Sequence, residues 1–338
     1  MSANSPLLEA LPHAVLVEIL RHVVRNGACR PQSIRAAAIC CKMFAAAAQD
    51  PLAYDRIQFD SRRLMDNAPE PGCIGSLISL LSHPRFTRMS VLDLSGLSAV
   101  STKLINRKTY RAALPKPTWN YLEVLELHHG VFNTIAHIFS LLPQSLRVLC
   151  VSDGPRWVSP SMIDLLAYRC PNLQAIDLSF AKASEPWFDC LEAVAARFPR
   201  LVALSIAYAG YGSGGGRIVT SEGFEALLRP IGKLTELRYL DVSYLGLDGS
   251  YSHTQCYSES TKPLEALIDE LPQLQYFVHT PQRKRITYEV PGHPTDVRIE
   301  LRERVKLAHP HLKFQQPFSI GGVYNGKINS YGCLLGMW

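Results

Sequence analysis

The chain has 338 residues, 47% of them hydrophobic, with a formal charge of +6. That size accommodates about two domains or one elongated array. The apolar content predicts a buried core, and the mild charge excludes the strong basic footprint of a nucleic-acid-binding protein. No apolar run approaches the roughly 18 residues of a membrane span.

Nine cysteines, an odd number without framework spacing, suit reduced thiols and therefore a cytoplasmic or nuclear protein. Glu9 and Pro12 stand near the start, with no basic region before an apolar stretch, so no secretory signal is expected.

In chain order, the first predicted element is a helix in "LPHAVLVEIL", residues 11 to 20. Pro12 suits a helix start, and Val15, Leu16, Ile19, Leu20 and Val23 form one apolar stripe. Beyond Gly27, a second helical segment reads "CCKMFAAAAQDPLAYDRI", residues 40 to 57. There the Cys40-Cys41 pair is read as buried thiols on an apolar helix face rather than a redox couple.

From residue 89 a pattern of the form L-x-x-L-x-L repeats, with other apolar residues allowed. Its copies are Met89–Leu92–Leu94, Leu122–Leu125–Leu127, Leu146–Leu149–Val151, Leu173–Ile176–Leu178, Leu201–Leu204–Ile206 and Leu237–Leu240–Val242. A degenerate copy, Leu274–Phe277–His279, ends the run, and successive copies start 33, 24, 27, 28, 36 and 37 residues apart. The alternation within each copy predicts a short strand. Helical segments are predicted before most of the strands, at 74–81, 133–142, 161–169, 187–198, 221–228 and 264–271. Ser159 and Pro160 are placed as cap and first helical residue of the third segment. No such unit can bury a core alone, so each is expected to pack on the next copy of itself.

Two resemblances follow from these residues. The units resemble leucine-rich repeats, especially the cysteine-containing class. Cys170-Pro171-Asn172-Leu173 fits that class's helix end, and Val219-Thr220-Ser221-Glu222-Gly223-Phe224 its helix entry. The chain departs from the class at Gly130, Ala181, Ala209 and Leu245, where Cys or Asn usually closes the turn after the strand. Residues 7 to 57 resemble an F-box through the Leu11-Pro12 start, Glu18-Ile19-Leu20, Cys41-Lys42, Asp50-Pro51, Tyr54 and Arg56. Phe44 and Tyr54 stand where that family usually has tryptophan, and Cys40 where it usually has valine.

The implied fold class is α/β: a helical F-box module over residues 7–57, then a curved leucine-rich-repeat solenoid over 58–280 with a parallel sheet on its concave face. A C-terminal cap and tail would occupy 281–338, with a strand at 286–290, a charged helix at 296–308 and half a repeat in "HPHLKFQ".

The F-box resemblance implies a non-catalytic specificity subunit of a Skp–cullin–F-box ubiquitin ligase. Its Skp-type adaptor, and cullin through it, would be held by Leu11, Pro12, Val15, Leu16, Ile19, Leu20, Cys41, Lys42 and Phe44. The repeats would hold the protein to be ubiquitinated, with no nucleic acid or membrane as partner. The alternative is an interaction scaffold whose N-terminal helices merely cap the repeats, and the two differ in whether the 11–20 stripe is free or buried.

For a substrate protein, the strand residues between the leucines are expected to face the concave side: Ala175, Asp177 and Ser179, Ala203, Ser205 and Ala207, Tyr239, Asp241 and Ser243, then Tyr276. One position further on, Phe180, Tyr208 and Tyr244 would align in a column. Either these rings pack against rim loops, or they form a partner-binding stripe with Tyr239, Asp241 and Tyr276.

Catalytic readings are weaker. "GYGSGG", residues 210–215, matches a dinucleotide fingerprint, but the next helix starts near Thr220, too far on to meet a pyrophosphate. Gly216-Arg217 breaks a P-loop. His128-His129 and His309-Pro310-His311 lack cysteines or carboxylates at zinc spacing, so no metal or other cofactor is expected. The basic run Gln282-Arg283-Lys284-Arg285 is read as solvated surface.

Overall fold

The structure is a computed structural model that describes residues 11–26, 42–54, 56–58, 88–93, 120–126, 142–151, 158–179, 181, 187–207, 221–243, 261–278 and 305–315. The chain is α/β and divides into two compact units, Met1–Cys150 and Val151–Trp338.

The first unit opens with helix α1, His13–Asn26, and helix α2, Lys42–Ala47, followed by a 3-10 turn, Pro51–Tyr54. The helix starts where Pro12 predicts: the Pro12 carbonyl accepts from the N–H groups of Val15 and Leu16, at 2.9 and 3.2 Å. Four strands follow: β1 Arg56–Gln58, β2 Val91–Asp93, β3 Val124–Glu126 and β4 Val148–Cys150. Each pairs in parallel with the next, aligning Ile57, Leu92, Leu125 and Leu149. The last three of these side chains are fully buried.

Strand β1 was not expected. The stretch Tyr54–Ile57–Phe59 carries the repeat spacing with a tyrosine in first place, but it lies where the F-box-like module is expected. The division expected at 57/58 falls inside this strand.

In the second unit, helix α3 (Pro160–Arg169) precedes β5 (Ala175–Asp177), and α4 (Trp187–Arg197) precedes β6 (Ala203–Ser205). Helix α5 (Ser221–Gly232) leads to β7 (Tyr239–Asp241), and α6 (Thr261–Glu270) to β8 (Tyr276–Val278). A short helix at 305–308 leads to β9 (Lys313–Gln315). These five strands are parallel and pair in chain order, which requires a crossover between each pair. The helices supply it, and α3, α4, α5 and α6 each pack on the next.

Ser159 caps α3 by accepting from the Met162 N–H at 3.3 Å, with Pro160 in the first turn. At the other end the Cys170 N–H donates to the Leu166 carbonyl at 2.7 Å. Helix α5 runs four residues past the expected 228, through Pro230. Proline has no N–H to give there, but Ile231 follows it into the core at 1% exposure, and that burial offsets the missing bond.

The core of the second unit lies between strands and helices. Leu173, Leu201, Leu237, Leu274 and Leu312 form its first layer, and Ile176, Leu204, Leu240 and Phe277 its second. The helices close it with Ile163, Leu166, Leu191, Val194, Ile231, Leu267 and Ile268, all buried. Among the described residues, no helix is long and apolar enough to cross a membrane.

Of the expected elements, the helix at 74–81, all but Leu142 of the helix at 133–142, the strand at 286–290 and helical residues 296–304 lie outside the described residues, and Leu142 is not helical.

Candidate interaction surfaces

Helix α1 splits its apolar stripe in two. Residues four apart share a line along a helix, so 15 and 19 form one row and 16 and 20 the next, about 100° round. Leu16 and Leu20 are 1% exposed, and Val17 joins them in the core. Val15 and Ile19 stay 41% and 38% exposed. Leu11 is half-buried and Pro12 exposed. Lys42 opens α2 and Phe44 is half-buried, while Cys41 lies outside the described residues.

The inner row of α1 packs against α2, the 3-10 turn and β1, a group in which Ala47, Ala48 and Ala53 are almost fully buried. The short side chains of these alanines let α1 approach closely.

A carboxylate ties these elements together. One Asp50 oxygen accepts from the Leu52 N–H at 2.9 Å, and the other lies 3.1 Å from His13 Nε2. The Leu52 N–H, and after it His13, hold the Asp50 carboxyl below the ordinary carboxylate range, against the opposing effect of burial. The residue that follows Pro51, Leu52, is itself 42% exposed. Sequence reading missed it because it falls outside the helical stripe.

In the second unit the strands carry their own pattern. Register aligns Ala175, Ala203, Tyr239, Tyr276 and Lys313 in one row, and Asp177, Ser205, Asp241, Val278 and Gln315 in the next. The expectation that this face is open to solvent needs correction. Asp177 is 5% exposed, Ser179 and Ser205 7%, and Ser243 1%. Alanine and serine are short, and neighbours about 4.8 Å away on either side shield them.

Several of these enclosed groups are hydrogen-bonded to one another. Asp177 Oδ1 accepts from the Ser179 N–H at 2.8 Å, and the Ser179 and Ser205 hydroxyls are 2.7 Å apart. Asp241 repeats the turn, its Oδ1 accepting from the Ser243 N–H at 2.9 Å.

Of the expected partner-binding residues, Tyr239 is 4% exposed and closed in between Ala203 and Tyr276. Asp241 and Tyr276 are half-buried. Lys313 Nζ stands over the Tyr276 ring, 5.2 Å from its centre and 3.4 Å from its hydroxyl. Phe180, Tyr208 and Tyr244 lie outside the described residues, as do the glycine loop at 210–215, His128-His129 and the 282–285 basic run.

Cys150, Cys170 and Cys190 are buried thiols outside any disulfide, and burial pushes Cys170 up to about 12. His309 pairs with Asp269 at 2.8 Å and meets His311 edge to face, so its ring links the 305–308 helix region to α6. Among the described residues, no three His, Cys, Asp or Glu side chains converge as a metal site would require.

Comparison with known proteins adds no relative: no family model matches the sequence, and no curated protein is significantly similar to it.

Proposed function

We propose that this chain is the substrate-recognition subunit of a Skp–cullin–F-box ubiquitin ligase, with the N-terminal helices docking on the Skp-type adaptor and the repeated strand–helix units holding the target. The observation that carries this reading is the division of α1. Its Leu16–Leu20 row is used up in folding, yet Val15 and Ile19 remain exposed on a helix that is already packed and oriented. Such a preformed apolar ridge loses little entropy on binding a partner. The parallel, in-register units support the leucine-rich-repeat solenoid implied by the sequence, since β5, β6 and β7 are each followed by a helix that crosses over to the next strand. In this reading the chain contributes no catalytic group; it positions two partners.

The burial of Leu16 and Leu20 favours a second reading, in which α1 serves only to cap the strands of its own unit and the protein is a plain scaffold. Point substitutions separate the two better than removal of residues 1–57, which would also take Arg56 and Ile57 of β1 and uncover β2. The experiment is co-purification of the full chain with a Skp-type adaptor. Val15→Asp combined with Ile19→Asp should abolish it, and a wild-type chain that never captures the adaptor refutes the ligase reading.

A further inference from the structure

Much of the strand face of the second unit is closed: Ala175, Asp177, Ala203, Ser205 and Tyr239 are each at most 7% exposed. Exposed charge is found instead on the rim where the helices end and the strands begin. Arg169, Arg197, Arg200, Lys233 and Arg238 are all exposed there, on the connections that lead into β5, β6 and β7.

The fold accounts for part of this charge. Arg169 and Arg197 end α3 and α4, and Lys233 directly follows α5, where the negative end of a helix dipole favours a cation. Arg197 is also paired with Asp164 of α3, and Lys233 with Glu192 of α4. Arg200 and Arg238 have neither role. Arg200 lies in the turn between α4 and β6, and Arg238 stands directly before β7. Among the described residues, no carboxylate is ion-paired with either. The one acid in these three connections, Glu236, is exposed and forms no ion pair with them.

The backbone holds the two arginines in place. The Arg238 N–H donates to the Val202 carbonyl at 2.8 Å, and the Arg238 carbonyl accepts from the Gln275 and Tyr276 N–H groups, both at 2.9 Å. Arg200 is two residues before Val202, so one strand spacing and two residue rises set the arginines roughly 8 Å apart. An extended chain presents alternate side chains on one face, roughly 6.6 Å apart. Two long side chains absorb that difference, and each guanidinium can hold one carboxylate through a paired, in-plane contact.

We propose that this rim docks an extended acidic segment of a partner protein, with Arg200 and Arg238 holding carboxylates two residues apart. Charge complementarity selects the occupant. Two unpaired arginines beside one glutamate are too few for the long phosphate array of a nucleic acid or the headgroups of a membrane. They suit a short segment. Only the identification of that partner as a ubiquitination target rests on the proposed function.

The test uses the full chain with no adaptor present, so its outcome is separate from that of the ligase reading. The probe is a fluorescein-labelled peptide of alternating glycine and glutamate, titrated by fluorescence anisotropy at low and high salt. Saturable binding that weakens with salt is expected. Arg200→Gln combined with Arg238→Gln should weaken it at least tenfold, with circular dichroism unchanged. Arg197→Gln combined with Lys233→Gln removes the same net charge from the same rim. That pair should weaken binding less than about threefold, because both groups already have partners. Glu236→Gln, which removes a competing carboxylate, should tighten it. Equal losses in the two double variants overturn the proposal, since net charge alone would then explain the binding. Absence of wild-type binding overturns it too, as does equal binding of a glycine–glutamine peptide. Tighter binding of duplex DNA or phosphatidylserine vesicles, lost in the Arg200/Arg238 variant, would assign the rim to phosphate and overturn the acidic-segment reading.

Discussion

Leu178 and Asp177 are sequence neighbours on opposite faces of the strand region, and their truncations should differ in a way the packing dictates. Leu178 is 1% exposed in the core between strands and helices. Leu178→Ala removes three carbons, about 2.4 kcal/mol of transfer energy at ~0.8 per methylene. The cavity left behind raises the total to about 2–5 kcal/mol. The Leu178 N–H still donates to the Ser205 carbonyl, so no backbone bond is lost.

From sequence alone, Asp177→Ala should cost well under 1 kcal/mol, as a solvent-facing change. The structure revises that figure. Asp177 is 5% exposed, and its loss leaves the Ser179 N–H without its acceptor. Stranding a buried donor costs about 1–3 kcal/mol. The loss should therefore exceed that of a solvent-facing change, at about 1–3 kcal/mol. Urea unfolding followed by tryptophan fluorescence measures both variants against the wild type. A Leu178→Ala midpoint equal to that of the wild type refutes the register, because a one-residue slip would turn residue 178 outward. An Asp177→Ala loss larger than that of Leu178→Ala refutes the placement of the core.

Phe277→Ala, at a fully buried position aligned with Leu240, should cost about 3–5 kcal/mol and lower the melting temperature by several degrees. Arg197–Asp164 and Lys233–Glu192 link successive helices with side chains about half exposed, so a double-mutant cycle on either should give under about 1 kcal/mol, less at high salt. Cys150, Cys170 and Cys190 should resist a thiol-specific reagent at pH 8 until the protein is unfolded. Asp50→Asn should free the 3-10 turn from α1, read as faster amide exchange at Leu52, with only a small loss of overall stability.

The repeats were legible because each strand reports its own burial: a leucine at the first and second places cannot be satisfied except against a neighbour of the same kind. Ser159-Pro160 gave a helix start with a mechanism behind it, and α3 begins there. Strand β1 was hidden because its Tyr54–Ile57–Phe59 spacing falls in the stretch that resembles an F-box, and register with Val91–Asp93 is what puts 56–58 into the array. The end of α5 was hidden because proline lowers helix propensity locally, and tertiary burial of Ile231 overrides it.

The candidate surfaces were less readable. Hydropathy marks Val15, Leu16, Ile19 and Leu20 as one stripe. It cannot say which half the fold consumes, since that depends on where α2 and the 3-10 turn pack. Burial of Asp177 and Tyr239 likewise comes from the strands beside them, and period-two alternation reports only which side they occupy. The tie from Asp50 to His13 spans 37 residues, a distance over which local pattern carries no information.

The most direct test of the central claim is calorimetric titration of the purified full chain with a purified Skp-type adaptor, alongside a Val15→Asp/Ile19→Asp variant whose circular dichroism matches the wild type. Saturable binding by the wild type, reduced at least tenfold in the variant, is the result predicted for an adaptor docked on the exposed row of α1. Absence of wild-type binding, or equal binding by the variant, contradicts it.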